Sequence, residues 1–514
     1  MRWIRGDAMN EEIIDRWLQD KDIATMRREA QGGDVNAWCD LGFCYLLGHN
    51  VERNYGEAIK WFHAAAKSGV IAAQYNLGVM FELGIGINKD MKGALNWYQK
   101  AAEQGAAAAQ YKLWDFYARG IGVKQDWGKA VMWLNLVAEQ NDLRSQYLLG
   151  WCYEMGKGVG QDYEAAVRWY RRAAEQGSAY AQYALCECYS KGNGVVQNIE
   201  ESAYWCSKAA TIGHPMAEYT LGWYYENGFG VAKDVSVAVS WYFKAAEQDE
   251  VNSQYRLGKC FAMGIGVDQN YEEAVKWFSK AAEKGHPFAK FGLGRCYLGG
   301  HGVEKDYEEA VKLFFDSAKQ GESNSQCWLG RCYENGWGVH EDSQKAASWF
   351  RKAANQGNPG AQEDLAWCFE QGYGVEQNWN EAASWFRKAA EQGEMYAQYC
   401  LGRYYAIGEV LPRNMQEAVR WWLKAAEQGE MHAQYCLGMY CASGEVLPKN
   451  MQEAVRWWLK AAEQGEPESQ YSLGTCYANG SGVERNINEA IRWWRCAANS
   501  GHPGAMKCLS GRNE

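Results

Sequence analysis

The chain has 514 residues, of which 47% are hydrophobic and 14% aromatic, and only 7 are prolines. This composition predicts a folded, helical protein without Ser/Gly/Pro-rich linkers that would mark a domain boundary. The formal net charge of −10 disfavours nucleic acids and anionic membranes as partners, because both require a basic surface.

The amino-terminal residues lack the apolar core of a signal peptide, and no run approaches the roughly 18 apolar residues that a membrane span needs. We therefore expect a cytoplasmic protein without membrane insertion, and export by a secretion system that needs no signal peptide stays open. Asn10 is the expected N-cap of a helix over 11–22, and a second helical stretch ends at Gly33. Residues 1–33 are thus predicted to form a helical cap.

From residue 34 onward the sequence repeats with a period of 36 residues. Leucines recur at this interval from Leu41 to Leu509, fourteen in all, without a single insertion. The repetition is strongest in two adjacent stretches, 394–429 and 430–465, which differ at only five positions. We call these two stretches the twin repeats. Self-similarity at such a period is typical of repeat architectures.

The first half of each unit has the pattern of an amphipathic helix. Alanine usually lies four residues before the leucine, a small residue often follows it, and an aromatic residue frequently lies four after it. Seven residues after the leucine, glycine is present in all thirteen full units, and ten units have a second glycine two positions later. These glycines predict a left-handed helix end followed by a loop.

The second half of each unit predicts a capped helix. Asp or Asn lies thirteen residues after the leucine in all thirteen units, and eight units have Glu three residues later, which is the pattern of a capping box. Alanine, tryptophan, a further apolar residue and alanine follow at relative spacings of 0, 3, 4 and 7, and we interpret them as a core stripe. A closing glycine ends the unit, except where Asn141 and Asp249 replace it.

A single helical hairpin cannot bury such a stripe, so the hairpins must stack on one another. The sequence therefore predicts an all-α solenoid of thirteen helix-hairpin repeats over 34–501. A lone first helix at 502–514 is expected to form a capping half-repeat.

The repeated motif, Ala-x-x-x-Leu-Gly-x-x-Tyr-x-x-Gly-x-Gly-Val followed by Asp, Ala, Trp and Lys-Ala-Ala, resembles that of the Sel-one-like repeat (SLR) family. Residues 217–248 carry it almost in full, as AEYTLGWYYENGFGVAKDVSVAVSWYFKAAEQ. The family is related to tetratricopeptide repeats. The resemblance implies a right-handed α/α superhelix that serves as an adaptor or scaffold for protein complexes. It also implies that the positions five and two before the leucine, and two and five after it, line the concave surface.

The sequence predicts no catalytic, metal or cofactor site. Its 17 cysteines include eight at one repeat position that elsewhere holds packing residues, which predicts buried, reduced thiols. A cysteine-rich bacterial branch of the family carries a paired-cysteine disulfide in each repeat and has been described as penicillin-binding. This chain lacks that pairing and has no Ser followed three residues later by Lys, so a β-lactamase-like or penicillin-binding activity is the least favoured alternative. We expect a non-enzymatic scaffold, and a structural spacer without a specific groove ligand is the other alternative.

The position two after the leucine supplies the candidate binding site. It holds no cation in the first six units, whereas the next five have Lys259, Arg295, Arg331, Trp367 and Arg403. The residue four earlier is apolar or aromatic in three of these units, as Tyr255, Phe291 and Tyr399. Packed helices lie about 10 Å apart, which matches about three residues of an extended chain. These eight residues thus predict a strip that binds a partner protein through an extended acidic or carboxylate-ended peptide, with a solvated groove wall as the alternative.

Overall fold

The computed structural model describes residues 22–510, in which the chain forms 28 α-helices and no strand. The expected N-cap Asn10 and the last four residues lie outside this range. Helix α1 (Ile23–Gln31) precedes thirteen helical hairpins, and α28 (Pro503–Ser510) follows them. The predicted all-α class and the helix-hairpin repeats are confirmed.

Each hairpin consists of an A helix and a B helix of thirteen residues each. The A helices are α2 Val35–Leu47, α4 Ile71–Leu83, α6 Ala107–Arg119, α8 Leu143–Met155, α10 Ala179–Lys191, α12 Pro215–Asn227, α14 Val251–Met263, α16 Pro287–Gly299, α18 Ser323–Asn335, α20 Pro359–Gln371, α22 Met395–Ile407, α24 Met431–Ser443 and α26 Pro467–Asn479. The B helices are α3 Tyr55–Lys67, α5 Met91–Glu103, α7 Trp127–Glu139, α9 Tyr163–Glu175, α11 Ile199–Thr211, α13 Val235–Glu247, α15 Tyr271–Glu283, α17 Tyr307–Lys319, α19 Ser343–Asn355, α21 Trp379–Glu391, α23 Met415–Glu427, α25 Met451–Glu463 and α27 Ile487–Asn499.

The chain divides into two compact units. The first comprises the described residues up to 253 with 265–267, and the second comprises 254–264 with the described residues from 268 onward. Within each unit, consecutive helices pack side by side along the chain. Each unit is therefore a solenoid in which a helix packs against the helices before and after it in sequence.

The helix ends follow the sequence signals. Every A helix with a described C-cap ends on a left-handed residue, such as Gly48 with a φ of 79° and Gly372 with a φ of 72°. The side chain of Asn54 caps α3 by accepting the Glu57 N–H at 3.0 Å. The equivalent Asp or Asn caps each of the remaining twelve B helices. Asn141, which replaces a closing glycine, keeps the left-handed conformation with a φ of 64°.

The core contains the repeated leucines and one ring from each B helix. The thirteen leucines from Leu41 to Leu473 are at most 7% exposed. Among the large B-helix side chains, the most buried is the residue after the repeated tryptophan, as at Tyr98, Phe350 and Phe386, which are 0% exposed. The expectation that the tryptophans themselves form the core is wrong for most hairpins. Trp349 and most of its equivalents are half-buried, since they lie at the edge of the stripe.

A basic residue covers many of these tryptophans. Lys352 places its Nζ 3.7 Å from the centre of the Trp349 ring, and Lys388 places its Nζ 3.6 Å from that of Trp385. Equivalent pairs three residues apart recur in six other B helices, at 4.0–4.7 Å. The indole face thus meets a cation instead of water, which stabilises it where packing is incomplete.

Buried glutamines join most hairpins to the one before them. In α4, Gln74 donates from Nε2 to the carbonyl of Ala66 in α3 at 3.0 Å, and its Oε1 accepts from Gln104 after α5 at 2.7 Å. The same two bonds recur at Gln110, Gln146, Gln326, Gln362, Gln398 and Gln434. We call this series the glutamine ladder. It supplies partners to helix-end carbonyls that would otherwise be buried without one.

The second loop glycine permits close contact between successive hairpins. A Cβ added to Gly230 would lie 2.3 Å from the carbonyl oxygen of Ile199, the first residue of the preceding B helix. A Cβ added to Gly374 would lie 2.0 Å from the carbonyl oxygen of Ser343. Only glycine allows this approach. The loops of the twin repeats have Val410 and Val446 at this position instead.

Candidate functional site: the exposed face of the A helices

Each A helix leaves one face uncovered by its B helix. In α16, the buried face includes Leu293, whereas Phe288 is 47% exposed, Phe291 is half-buried and Arg295 is exposed. These three residues lie five before, two before and two after the leucine, which are positions that the resemblance assigns to the binding surface. We call this side of the A helices the A face.

The eight predicted site residues all lie on the A face. They are Tyr255 and Lys259 on α14, Phe291 and Arg295 on α16, Arg331 on α18, Trp367 on α20, and Tyr399 and Arg403 on α22. Arg295 is exposed and the other seven are partly buried. Each is therefore at least partly accessible, but their local partners differ.

Three of the four aromatic residues of the site pack against neighbouring rings of the fold. Tyr255 stacks on His286 with ring centres 4.8 Å apart, and Phe291 packs against the core ring of Phe314 at 6.0 Å. Tyr399 packs against His432 at 5.5 Å. Tyr255 and Tyr399 each contact a histidine of the next hairpin, whereas Phe291 contacts the B helix of its own hairpin. Because one side of each ring is packed in this way, the rings are fixed walls of the A face.

Arg331 and Arg403 are paired with carboxylates of neighbouring A helices. The Nε of Arg331 donates to Asp364 at 2.8 Å, and Arg403 donates to Glu370, which also accepts from the Tyr404 hydroxyl at 2.8 Å. Burial raises the pKa of Asp364, against the lowering effect of Arg331. These two arginines therefore neutralise half-buried or buried acids of the fold itself.

Sequence reasoning missed both carboxylates. Asp364 occupies a repeat position that varies between units, whereas Glu370 occupies one that also holds Glu82, Glu154, Glu226 and Glu334. Each lies 33 residues from its arginine, which is one repeat less about one helical turn. This 33-residue spacing between opposite charges is the signal that could have identified them.

Lys259 and Arg295 remain without a carboxylate partner among residues 22–510. The guanidinium carbon of Arg295 lies 4.8 Å from the centre of the Trp328 ring, and that of Arg331 lies 5.3 Å from the same ring. Trp328 was not predicted as a site residue, because it lies one position before the repeated leucine. The indole of Trp328 thus lies between two arginines. Arg331 is paired with a carboxylate, whereas Arg295 has no carboxylate partner among residues 22–510.

A cleft of 530 Å³ lies beside Arg403. Trp379, Ile407 and Val410 contribute apolar walls to it. Val410 occupies the place of the second loop glycine, and Trp379 is the first residue of the preceding B helix. A side chain at this loop position excludes the close approach that glycine allows elsewhere, which explains why a cleft is present here.

The five differences between the twin repeats are concentrated on the A helix. The pairs are Tyr396 and His432, Arg403 and Met439, Tyr405 and Cys441, Ile407 and Ser443, and Arg413 and Lys449. The first four pairs lie on α22 and α24, whereas the B helices α23 and α25 are identical. Three of those four pairs are at positions five before, two after and six after the leucine, which share one side of a helix. The two copies thus differ mainly in what the A face presents.

Within residues 22–510, no group of three or more His, Cys, Asp or Glu side chains could hold a metal ion. Over the same range, no helix is long and apolar enough to cross a membrane.

Comparison with known families agrees with this architecture. The model of the Sel1 repeat matches thirteen consecutive segments, which run from residues 37–70 to residues 467–502. The chain belongs to the Sel1 repeat family. Sel1 repeat proteins generally mediate protein–protein interactions and are typically non-enzymatic. No curated protein sequence matches the chain.

Two solved Sel1 repeat structures are similar over long stretches. One is c5321 of uropathogenic Escherichia coli, described as a protective antigen displaying an SLR fold, which is 33% identical with a TM-score of 0.77. That match covers 88% of this chain and 97% of c5321. The other is a Sel1 repeat protein of Oxalobacter formigenes, 32% identical with a TM-score of 0.50, which covers 60% of this chain and 90% of the other.

Proposed function

We propose that this Sel1 repeat chain is a non-enzymatic scaffold that binds a partner protein on its A face. The observation that carries the proposal is the difference between the twin repeats. Two copies that share identical B helices have diverged at accessible A-face positions such as Arg403 and Ile407. Substitutions at buried positions change packing, but these substitutions change the surface instead, which is expected where a partner is recognised.

We propose further that the partner presents an extended acidic segment to the second unit. Lys259 and Arg295 are the cations that support this step, because neither has a carboxylate partner among the described residues. Arg offers bidentate hydrogen bonds to a carboxylate, and Trp328 provides a flat apolar wall beside it. Arg331, Trp367 and Arg403 extend the strip, but the two arginines there contribute less because Asp364 and Glu370 already neutralise them.

The proposed function also concerns the cellular compartment and the kinds of partner. We propose a cytoplasmic protein, because buried thiols are typical of a reducing compartment. Nucleic acids and anionic membranes are not proposed as partners, since the net charge of −10 repels both.

The test is a selection of random peptides displayed on phage against the immobilised full-length chain. We expect Asp and Glu to be enriched at about every third position, with binding that weakens as salt rises. Changing Lys259→Glu together with Arg295→Glu should abolish the enrichment, because two attractive charges become repulsive. The matched control is Arg420→Glu with Arg456→Glu, which makes the same charge change on the exposed surface of two B helices.

Each outcome separates the alternatives. Acidic peptides that bind the A-face variant as well as the wild type would show that Lys259 and Arg295 are not the site. If the selected peptides lack acidic residues but their binding is lost in the A-face variant, the scaffold function is supported and the proposed acidic segment is rejected. If no peptide is enriched, the chain behaves as a structural spacer.

A further inference from the structure

One hairpin departs from the core pattern at three buried positions at once. In ten hairpins, a glycine of the A helix packs against the core ring of the B helix. At Gly222, for example, an added Cβ would lie 2.8 Å from the Tyr242 ring. In the hairpin of α10 and α11, Cys186 takes the place of that glycine and Cys206 takes the place of the ring. Ser202 replaces the alanine that the other twelve hairpins have at its position.

These residues form a buried hydrogen-bonded cluster. Cys186 is 1% exposed, and Cys206 and Ser202 are 0% exposed. The two cysteines are neighbours in one core cluster, because they replace a glycine and a ring that contact each other in other hairpins. The Cys206 thiol donates to the carbonyl of Ala217 at 3.3 Å. The Ser202 hydroxyl donates to the Cys186 carbonyl at 2.7 Å and lies 3.4 Å from the Cys186 Sγ. Tyr224, from the next A helix, places its hydroxyl 2.8 Å from Ser202 and 3.8 Å from the same sulfur.

The cluster distinguishes the two sulfurs. The neighbouring Cys206, Ser202 and Tyr224 lower the pKa of Cys186, whose sulfur lies beside two hydroxyls, although burial acts to raise it. The neighbouring Cys186 sulfur and burial both raise the pKa of Cys206, whose thiol donates to a backbone carbonyl. Since the thiolate is the nucleophile in thiol oxidation, Cys186 is the sulfur prepared to react first.

We propose that Cys186 and Cys206 are a peroxide-reactive dithiol that closes to a disulfide between α10 and α11. In the first step, the Cys186 thiolate attacks one oxygen of hydrogen peroxide, the O–O bond breaks, and sulfenic acid and hydroxide form. In the second step, the Cys206 sulfur attacks the Cys186 sulfur, the S–O bond breaks, and hydroxide leaves. With the two thiol protons, one peroxide yields two waters while both sulfurs are oxidised.

The oxidant fits a buried site because hydrogen peroxide is small and uncharged. Cys188 provides an internal comparison, since it lies two residues from Cys186 and is 3% exposed. Burial raises the pKa of Cys188 to about 12, and no hydroxyl donor to its sulfur is described. If burial alone governed oxidation, Cys186 and Cys188 would react alike.

The experiment treats the reduced full-length chain with hydrogen peroxide, then denatures it, alkylates the remaining thiols and digests it with trypsin. Peptide 173–191 carries both Cys186 and Cys188, and peptide 192–208 carries Cys206. Mass spectrometry is expected to find these peptides joined through Cys186 and Cys206 while Cys188 is alkylated. Cys186 should be oxidised at least about tenfold faster than Cys188.

A variant tests the order of the two steps. With Cys206→Ala the second sulfur is missing, so sulfenic acid should accumulate on Cys186 and be trapped by dimedone. Circular dichroism checks that the variant is folded. The proposal is overturned if the folded wild type forms no link between the two peptides, or if Cys188 reacts as fast as Cys186. It is also overturned if dimedone labels the variant elsewhere and not at Cys186.

Discussion

Glu218 interrupts the glutamine ladder, as Lys290 does two hairpins later. It occupies the ladder position in α12, where it is 4% exposed and accepts from Gln248 Nε2 at 2.8 Å. Glutamine at this position donates to a helix-end carbonyl, as Gln182 does to Ala174 at 3.0 Å. An ionised carboxylate has no hydrogen to donate. Burial raises the pKa of Glu218 above its ordinary value of 4.5, so folding makes ionisation of this carboxyl group less favourable.

We predict that Glu218→Gln stabilises the chain at neutral pH. A carboxyl group whose pKa is raised by folding costs stability as the pH rises from its unfolded pKa through its folded pKa. The variant lacks this cost and gains a donor, so its unfolding free energy should exceed that of the wild type by about 1 kcal/mol at pH 7. The difference should shrink as the pH falls toward 4, where Glu218 is protonated in both states. Urea unfolding followed by circular dichroism at the two pH values measures it.

The reverse change provides the control. Gln182→Glu places the same carboxyl in an intact ladder position and should lower stability at pH 7 more than at pH 4. Equal stability of Glu218→Gln and the wild type at both pH values would contradict the assigned role.

Other residue roles could be anticipated only in part. Pro215 is the first residue of its helix, a position at which proline is common. The preceding His214 has a role that the sequence did not indicate, because its Nδ1 accepts the Ala217 N–H at 3.3 Å and its ring stacks on Tyr183 at 4.9 Å. The stacking partner Tyr183 lies on the preceding A helix, so this ring contact is not local in sequence.

Two adjacent residues of one helix should respond differently to truncation. In α19, Phe350 is 0% exposed, whereas Trp349 is half-buried beneath Lys352. We predict that Phe350→Ala lowers the unfolding free energy by about 3–5 kcal/mol, because it opens a cavity in the core. Trp349→Ala should cost less, since its ring already contacts a cation and solvent. Thermal and urea unfolding of the two variants checks this order.

Lys352→Ala is a suitable comparison for the tryptophan. It removes the cation from the indole face and should cost about 0.5–1 kcal/mol. If Trp349→Ala proved as damaging as Phe350→Ala, the tryptophans would be the core residues that the sequence pattern first suggested.

Elements were predicted more accurately than their buried faces. Capping residues and glycines act within a few positions of the chain, so Asn54 and Gly48 could be assigned from local sequence. The spacing of alanine, tryptophan and ring identified the buried side of each B helix. It could not distinguish Trp349 from Phe350, because neighbouring residues on a helix differ by about 100° and both fit a broad apolar stripe.

Contacts between the A helices on the A face were likewise not predictable from the pattern within one repeat. Lys259 and Arg295 could be proposed from one column of the repeat, and their accessibility agrees with that proposal. The pairing of Arg331 with Asp364 depends on the offset between two A helices, which the column alone does not contain. The binding role of these residues stays a prediction until a ligand is tested.

At the scale of the whole molecule, the burial of the cysteines predicts that their thiols are reduced. The described residues contain all seventeen, and fourteen of them are buried. We predict that the chain, prepared under reductant and denatured after the reductant is removed, yields 17 thiols in a titration with Ellman's reagent. Peroxide treatment before denaturation should lower the value by two. A much lower initial value would indicate structural disulfides and an oxidising compartment.

The glutamine ladder also explains why the chain grows only by whole repeats. Gln434 bonds to Ala426 in one hairpin and to Gln464 in its own, and 36 residues later Gln470 bonds to Ala462 in the same way. Removing 430–465 would bring Gln470 to Ala426 and join Gly429 to Glu466, the same dipeptide that exists at both junctions now. A deletion that is not a whole number of repeats would leave buried amides and carbonyls without partners, at about 1–3 kcal/mol each. Duplication of a 36-residue segment therefore lengthens the array at little energetic cost, and the new copy can acquire its own surface residues while the older one keeps its partner.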